Sequence, residues 1–354
     1  MGRRRLQLRT MLLQVAEGCS TASLAVAFGQ GDPEVVWVPD ATADEPCSLA
    51  YSITKTFSAA LVLLLRDEGH LALDDPLARW FPRIAEAERI TLRQLLNHTA
   101  GIPDYGALRR YHEELRAAPG SPWSFERFMA ETVDKGLRFA PGSGWAYSNP
   151  GYMLLRRIVE AAGNASFATL IAERIARPLQ LRRTFVPDSI EALASLAPAW
   201  SRALASGGKA RDIRSHYHPG WVSHAVVAST SSGIVRFLAG LFGGRLLSTA
   251  SLAEMTTLVP VPGGRAGSPI GWRQPSYGLG IMADPASRWG RIWGHNGGGP
   301  GYQASAFYAP DMDGVAVCAM CSTEEASAAE ELAVRVLDAI RPPGGLEASM
   351  RHSK

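Results

Sequence analysis

Lysine is scarce in this chain: of 36 basic residues only Lys55, Lys135, Lys209 and Lys354 are lysine, and the rest are arginine. Arginine keeps its proton in proteins, whereas a buried lysine can lose one and act as a base. A lysine inside an apolar segment of such a chain is therefore a candidate for proton transfer. Cysteine is scarce too, with four in 354 residues, which does not make a disulfide framework. Cys318 and Cys321 have the C-x-x-C spacing, but Cys318 lies in the apolar run 314–320, which reads as a buried strand, and Cys321 directly follows it. Positions three apart on a strand face opposite sides and cannot easily hold one metal. No run approaches the roughly 18 apolar residues of a membrane span, and Met11-Leu12-Leu13 is too short for the h-region of an export signal behind Arg3-Arg4-Arg5. A cytoplasmic protein without membrane contact is expected. The net charge is only +3 and the basic residues are scattered, which argues against a nucleic-acid partner. His216, His218 and His224 lack nearby acidic or cysteine ligands, so neither a metal nor a cofactor is expected.

At 354 residues the chain exceeds what one hydrophobic core usually supports, so two lobes are expected. Apolar periodicity predicts a helix over 6–17, strands over 23–28 and 34–38, and a buried helix from Ser52 to near Gly69. From about 74 to 260 the pattern is mostly helical, with segments at 92–97, 125–135, 151–162, 167–176 and 234–242. Strand character returns at 277–282, 291–294, 304–308 and 314–320, followed by a helix over 326–340. This predicts a discontinuous α/β lobe from 1–73 and 261–345, a helical lobe over 74–260, and a frayed tail at 346–354. A ligand cleft would lie between the lobes.

Ser52-Ile53-Thr54-Lys55 opens the buried helix. Residues three apart share a helix face, so the Lys55 amine can reach the Ser52 hydroxyl and take its proton, the layout of a serine acyl-transfer enzyme. Ser206-Gly207-Gly208-Lys209 has the same S-x-x-K pattern, but no apolar periodicity follows it and it reads as a loop. An activated serine also needs a proton donor for the leaving group and donors for the oxyanion. Tyr147-Ser148-Asn149, at the end of a turn-rich segment, can supply a phenol and a positioning amide. The tract 294–301 around His295-Asn296-Gly297-Gly298 can bring backbone N–H groups close to a substrate.

These three pieces, in this order, resemble the penicillin-recognising serine hydrolases. The branch is the one shared by class C β-lactamases, D-alanyl-D-alanine carboxypeptidases, D-aminopeptidases and carboxylesterases with a β-lactamase fold. The related class A set is S-x-x-K, S-D-N and K-T-G; here the slots hold Ser52 to Lys55, Tyr147-Ser148-Asn149 and His295-Asn296-Gly297. Similarity extends through 95–104, 139–142, Arg177-Pro178-Leu179 and Gly301-Tyr302, over about residues 20 to 340. The resemblance implies an antiparallel sheet flanked by N- and C-terminal helices, with a mostly helical insert. It implies Ser52 as the acylated nucleophile, Lys55 as its base partner and Tyr147 as the proton shuttle. Asn149 and His295 would position substrate, and the backbone N–H groups of Ser52 and Gly298 would form the oxyanion hole. His98 would belong to a structural loop. Tyr105, Trp145, Trp221 and Tyr302 are candidate pocket walls.

His295 stands where the K-T-G motif has lysine, removing a fixed charge for a substrate carboxylate. Histidine is mostly neutral at pH 7 and gains charge only in mild acid. The expected activity is an intracellular carboxylesterase or amidase acting on a small neutral ester, amide or peptide. A D-amino-acid peptidase is the second reading and a β-lactamase the third. A non-catalytic module of the same fold is disfavoured by the intact Ser52, Lys55 and Tyr147.

Overall fold

The computed structural model describes residues 3–39, 44–263 and 267–341. An eight-stranded antiparallel sheet runs in the order Glu34–Val38, Ala22–Phe28, Val315–Cys321, Tyr302–Ala309, Gly290–Gly299, Met282–Ser287, Ser276–Tyr277, Val259–Pro260. Val315–Cys321 is buried at every residue, and Ala22–Phe28 at all but the last. Such strands read as continuous apolar runs because both faces of the sheet are covered. Leu8 and Leu12 of helix Arg3–Val15 and Leu332 and Val336 of helix Ala328–Ile340 pack on one face. Phe57 and Leu61 of helix Thr54–Asp67 and Phe237 of helix Ser231–Phe242 belong to the core on the other. Cys318 lies in the second core and Cys321 in the first, which separates the C-x-x-C pair across the sheet.

The expected fold is present, an antiparallel sheet flanked by terminal helices with a mostly helical middle. Four local expectations change. The strand expected over 277–282 is a hairpin: Ser276–Tyr277 turns through Gly280, at φ 70°, into Met282–Ser287. The glycine-rich tract expected after a strand is itself strand, since Gly290–Gly299 runs through His295 and Gly298. Ser206 ends strand Trp200–Ser206, which pairs with Lys209–Asp212 across Gly207 and Gly208, both at positive φ, so its S-x-x-K match opens no helix. Helix Ser231–Phe242, expected in the helical lobe, contacts strands Ala22–Phe28 and Val315–Cys321 of the sheet. The expected frayed tail lies outside the described residues.

Candidate active site

Tyr51 has a left-handed backbone, φ 43°, a conformation a non-glycine residue holds only when its surroundings enforce it. It turns the chain between strand Ser48–Leu49 and helix Thr54–Asp67, and Ser52 sits on that turn. The Tyr51 hydroxyl donates to the Pro300 carbonyl at 2.6 Å. Its ring occupies the space a side chain at Gly299 would need, because a Cβ there would stand 2.4 Å from the ring. A Cβ on Gly297 would stand 2.1 Å from the Ala50 carbonyl oxygen and 3.2 Å from Ser52 N. Glycines at 297 and 299 therefore let the strand lie backbone to backbone against the turn. Gly298, between them, borders the same cleft as Ser52.

Lys55 follows one turn later and is fully buried. Its Nζ lies 3.4 Å from Ser52 Oγ, 2.7 Å from Asn149 Oδ1 and 2.9 Å from His224 Nε2. Burial lowers its pKa to about 7, against the pull of the Asp104 carboxylate. The Tyr147 hydroxyl donates to Ser52 Oγ at 2.8 Å, and burial pushes the phenol well above its ordinary range. Lys55 Nζ also sits over the Tyr147 ring, 4.7 Å from its centre. One amine near its titration point and one firmly protonated phenol thus flank a single serine oxygen.

Tyr147 and Asn149 are placed by the start of helix Asn149–Ala162, where Pro150 suits the first turn and Ser148 Oγ caps the Gly151 N–H at 3.1 Å. Asp104 accepts from the Asn149 N–H at 2.8 Å and from the Gly106 N–H at 3.0 Å, setting a carboxylate at the positive end of that helix. His98 is buried at φ 63°, accepts from the Ser148 N–H at 3.2 Å and packs 4.4 Å from the Tyr147 ring centre. Burial, with smaller contributions from Lys55 and His295, holds its imidazole neutral.

His295 is buried behind Tyr147. Its Nε2 pairs with the Tyr277 hydroxyl at 2.9 Å and its Nδ1 with the Asn296 carbonyl at 2.5 Å. Burial, reinforced by Lys55, depresses its pKa to about 3. The sequence expectation of a histidine that charges in mild acid is overturned, because a ring closed off from water cannot take up a proton near pH 6.

A cleft of about 390 Å³ is bordered by Ser52, Tyr105, Asn149, His224, Gly298 and Glu324. On the far side of Tyr147 lies a mostly apolar cavity of about 250 Å³ walled by Trp145, Trp272 and Tyr277. Tyr105 and Trp145 are thus wall residues. Trp221 and Tyr302 are not: both are buried in an aromatic core, where the Trp221 indole donates to the Pro119 carbonyl at 2.9 Å and the Tyr302 hydroxyl donates to that of Ala197. No arginine or lysine lines either cavity among the described residues. No cluster of metal-ligating side chains occurs among them either, and His224, one of the three histidines weighed for such a cluster, faces Lys55. His224, Asp104 and Tyr51 are site residues that sequence reasoning missed. Only Asp104 carried a signal, as the last residue of the matching stretch 95–104.

A family model described as Beta-lactamase matches residues 16–340. The chain is 29% identical over 263 residues to Penicillin-binding protein 4* of Bacillus subtilis (strain 168), covering 71% of this chain and 55% of that protein. It is 30% identical over 138 residues to the D-alanyl-D-alanine-carboxypeptidase/endopeptidase AmpH of Escherichia coli (strain K12), covering 38% of this chain and 35% of that one. The chain therefore spans about half or less of the length of these curated relatives. Among solved structures it resembles a D-stereospecific amidohydrolase from Streptomyces sp. at 28% identity and TM-score 0.78, covering 94% of this chain and 97% of that one. The D-amino acid amidase from Ochrobactrum anthropi SV3, at 24% identity, TM-score 0.77 and coverage of 94% and 99%, shares the fold.

Proposed function

Because the chain belongs to the beta-lactamase family, whose members are serine hydrolases, we propose that it hydrolyses small esters or amides lacking a carboxylate, through an acyl-enzyme on Ser52. The observation that carries the substrate class is the lining of the two cavities flanking Ser52 and Tyr147. Among the described residues it holds no arginine or lysine, and Glu324 adds a carboxylate to the rim. A penicillin or a peptide C-terminus would bring a carboxylate that meets no arginine or lysine among these described lining residues, and the uncharged His295 supplies no positive charge.

In this mechanism the neutral Lys55 amine takes the Ser52 proton as Oγ attacks the substrate carbonyl. The oxyanion that forms is held by the backbone N–H groups of Ser52 and Gly298. Tyr147, protonated at rest, gives its proton to the leaving oxygen or nitrogen as the bond to the carbonyl carbon breaks, and the proton held on Lys55 restores the phenol. Water then attacks the ester carbonyl of the acyl-enzyme while the phenol and amine run the same transfers in reverse. The pKa of Lys55, near 7, supports the lysine as the resting base, and the raised pKa of Tyr147 supports the phenol as the acid. Tyr147→Phe removes only the acid and should lower kcat by a factor on the order of 10² to 10⁴ with KM little changed. An unchanged kcat would remove Tyr147 from this role.

D-amino-acid amides form the second reading within this class. The likeness to the Streptomyces D-stereospecific amidohydrolase favours them, as does the Glu324 carboxylate on the rim, which suits a substrate carrying an ammonium group. A panel of p-nitrophenyl butyrate, D- and L-phenylalanine amide and nitrocefin, assayed at pH 5.5 and 8, tests both readings. Ester or amide should exceed nitrocefin in kcat/KM at both values, and the ratio of p-nitrophenyl butyrate to nitrocefin should not drift between them, because His295 stays uncharged throughout. Efficient opening of nitrocefin at pH 8 would overturn the substrate class.

A further inference from the structure

Lys55 has a third polar neighbour that the mechanism above does not use. His224 is 1% exposed, its Nε2 lies 2.9 Å from Lys55 Nζ, and its Nδ1 has no hydrogen-bond partner. Its segment is pinned to the nucleophile's turn on one side and to the cleft wall on the other. The Val227 N–H donates to Thr54 Oγ1 at 2.8 Å, and the Val227 carbonyl accepts from the Ala50 N–H at 2.8 Å. The Ser223 N–H donates to the Tyr105 hydroxyl at 3.2 Å. Between them Ala225 has a left-handed φ of 69°, a strained conformation that persists only where the surroundings impose it. The ring is held in place from both ends.

The hydrogens on Lys55 decide what the ring must do. A neutral amine has two N–H donors and one lone pair, and an ammonium has three donors and none. Around Nζ stand Asn149 Oδ1, His224 Nε2 and Ser52 Oγ. The lone pair faces the serine proton only if both N–H bonds go to Asn149 and His224. Once the proton has moved, the three donors of the ammonium meet the same three atoms. Both states require an unprotonated Nε2, since a proton there would donate into the lone pair and block the base. With Nε2 unprotonated, the single proton of the neutral ring sits on Nδ1, which has no hydrogen-bond partner among the described residues.

We propose that His224, as the Nδ1–H tautomer, is a positioning residue that accepts a hydrogen bond from Lys55 and so aims the amine's lone pair at Ser52. The proposal rests on the reading of Lys55 as the base. The other ionisable groups facing this pair are Asp104, which acts on Lys55, and Arg156, which acts on the histidine. His98, His295, Tyr147 and Tyr152 also face it, and burial keeps all four from titrating near neutrality. Burial and the charge on Lys55 keep His224 itself from taking a second proton.

The test follows the rate at which a fluorophosphonate labels the full-length protein, read by intact mass, from about pH 5.5 to 9 around the Lys55 titration near 7. Wild type is compared with His224→Gln, whose Oε1 keeps an acceptor, and His224→Leu, which has none. Wild-type labelling should rise through a pH near 7, and His224→Gln should stay within about tenfold of it. In His224→Leu the plateau should fall by on the order of 10- to 100-fold, and the rise should move to lower pH, because the ammonium has lost an acceptor. Equal loss in both variants with an unmoved rise would reduce His224 to packing and overturn the proposal. A rise moved to higher pH would show a cationic ring and overturn it as well. If His224→Leu does not fold, ¹⁵N-histidine NMR of the wild type decides: a proton on Nδ1 supports the proposal and one on Nε2 overturns it. Wild type that labels with no rise near neutral pH would instead overturn the reading of Lys55 as base, and with it this one.

Discussion

Ser52→Ala should lower ester and amide turnover by about 10⁴- to 10⁶-fold, to what an oxyanion hole and binding alone can provide. Among the described residues the other hydroxyl on the Ser52 oxygen belongs to Tyr147, and burial keeps the proton on that phenol, so it cannot substitute as the nucleophile. Turnover assays with p-nitrophenyl butyrate and an amide check this, with Ser206→Ala beside it. Ser206 ends a strand paired with Lys209–Asp212 and opens no helix, so its variant should behave as wild type. The reverse outcome would place the chemistry at the hairpin.

Lys55→Arg should be nearly as damaging as loss of the side chain, although it preserves the charge. A guanidinium cannot give up its proton near neutral pH, so at this buried site it keeps a charge that cannot serve as a base. Steady-state kcat/KM of Lys55→Arg and Lys55→Met against wild type tests this, and a large retained rate in the arginine variant would make Lys55 an electrostatic residue. In wild type kcat/KM should rise with pH through about 7, since the protonated amine below that value cannot accept the serine proton. The same pKa acts on stability with a definite sign. Lys55 titrates at about 7 in the folded chain and near 10.5 when unfolded, so between those values the unfolded chain binds more protons and stability rises with pH. The melting temperature of wild type should therefore gain on that of Lys55→Met as pH is raised above 7.

The sheet, the terminal helices and the three segments of the candidate site were legible because each is written locally. Ser52 and Lys55 are three residues apart on one apolar helix, and Tyr147 and Asn149 sit two apart beside a proline-marked helix start. The glycines at 297 and 299 were legible as close-approach positions, although what they approach, the Tyr51 turn, was not. His224 meets Lys55 across 169 residues of sequence and Asp104 meets Asn149 across 45, and no periodicity encodes such a contact. Trp221 and Tyr302 misled because an aromatic residue in an irregular segment reads the same whether it walls a cleft or fills a core. The strand expected over 277–282 failed at Gly280, where a left-handed φ turns an apolar run back on itself. The titration of His295 was misjudged because sequence does not show burial, and burial is the first cause of its low pKa.

In the proposed mechanism Ser52, activated by Lys55, carries the acyl group. The most direct test is to react the wild-type protein with a fluorophosphonate at pH 8, measure the intact mass, and locate the adduct by peptide sequencing. One adduct per chain is expected, on Ser52, absent from Ser52→Ala and formed far more slowly in Lys55→Arg. An unlabelled wild type, or an adduct on Ser206 or any other residue, would contradict it.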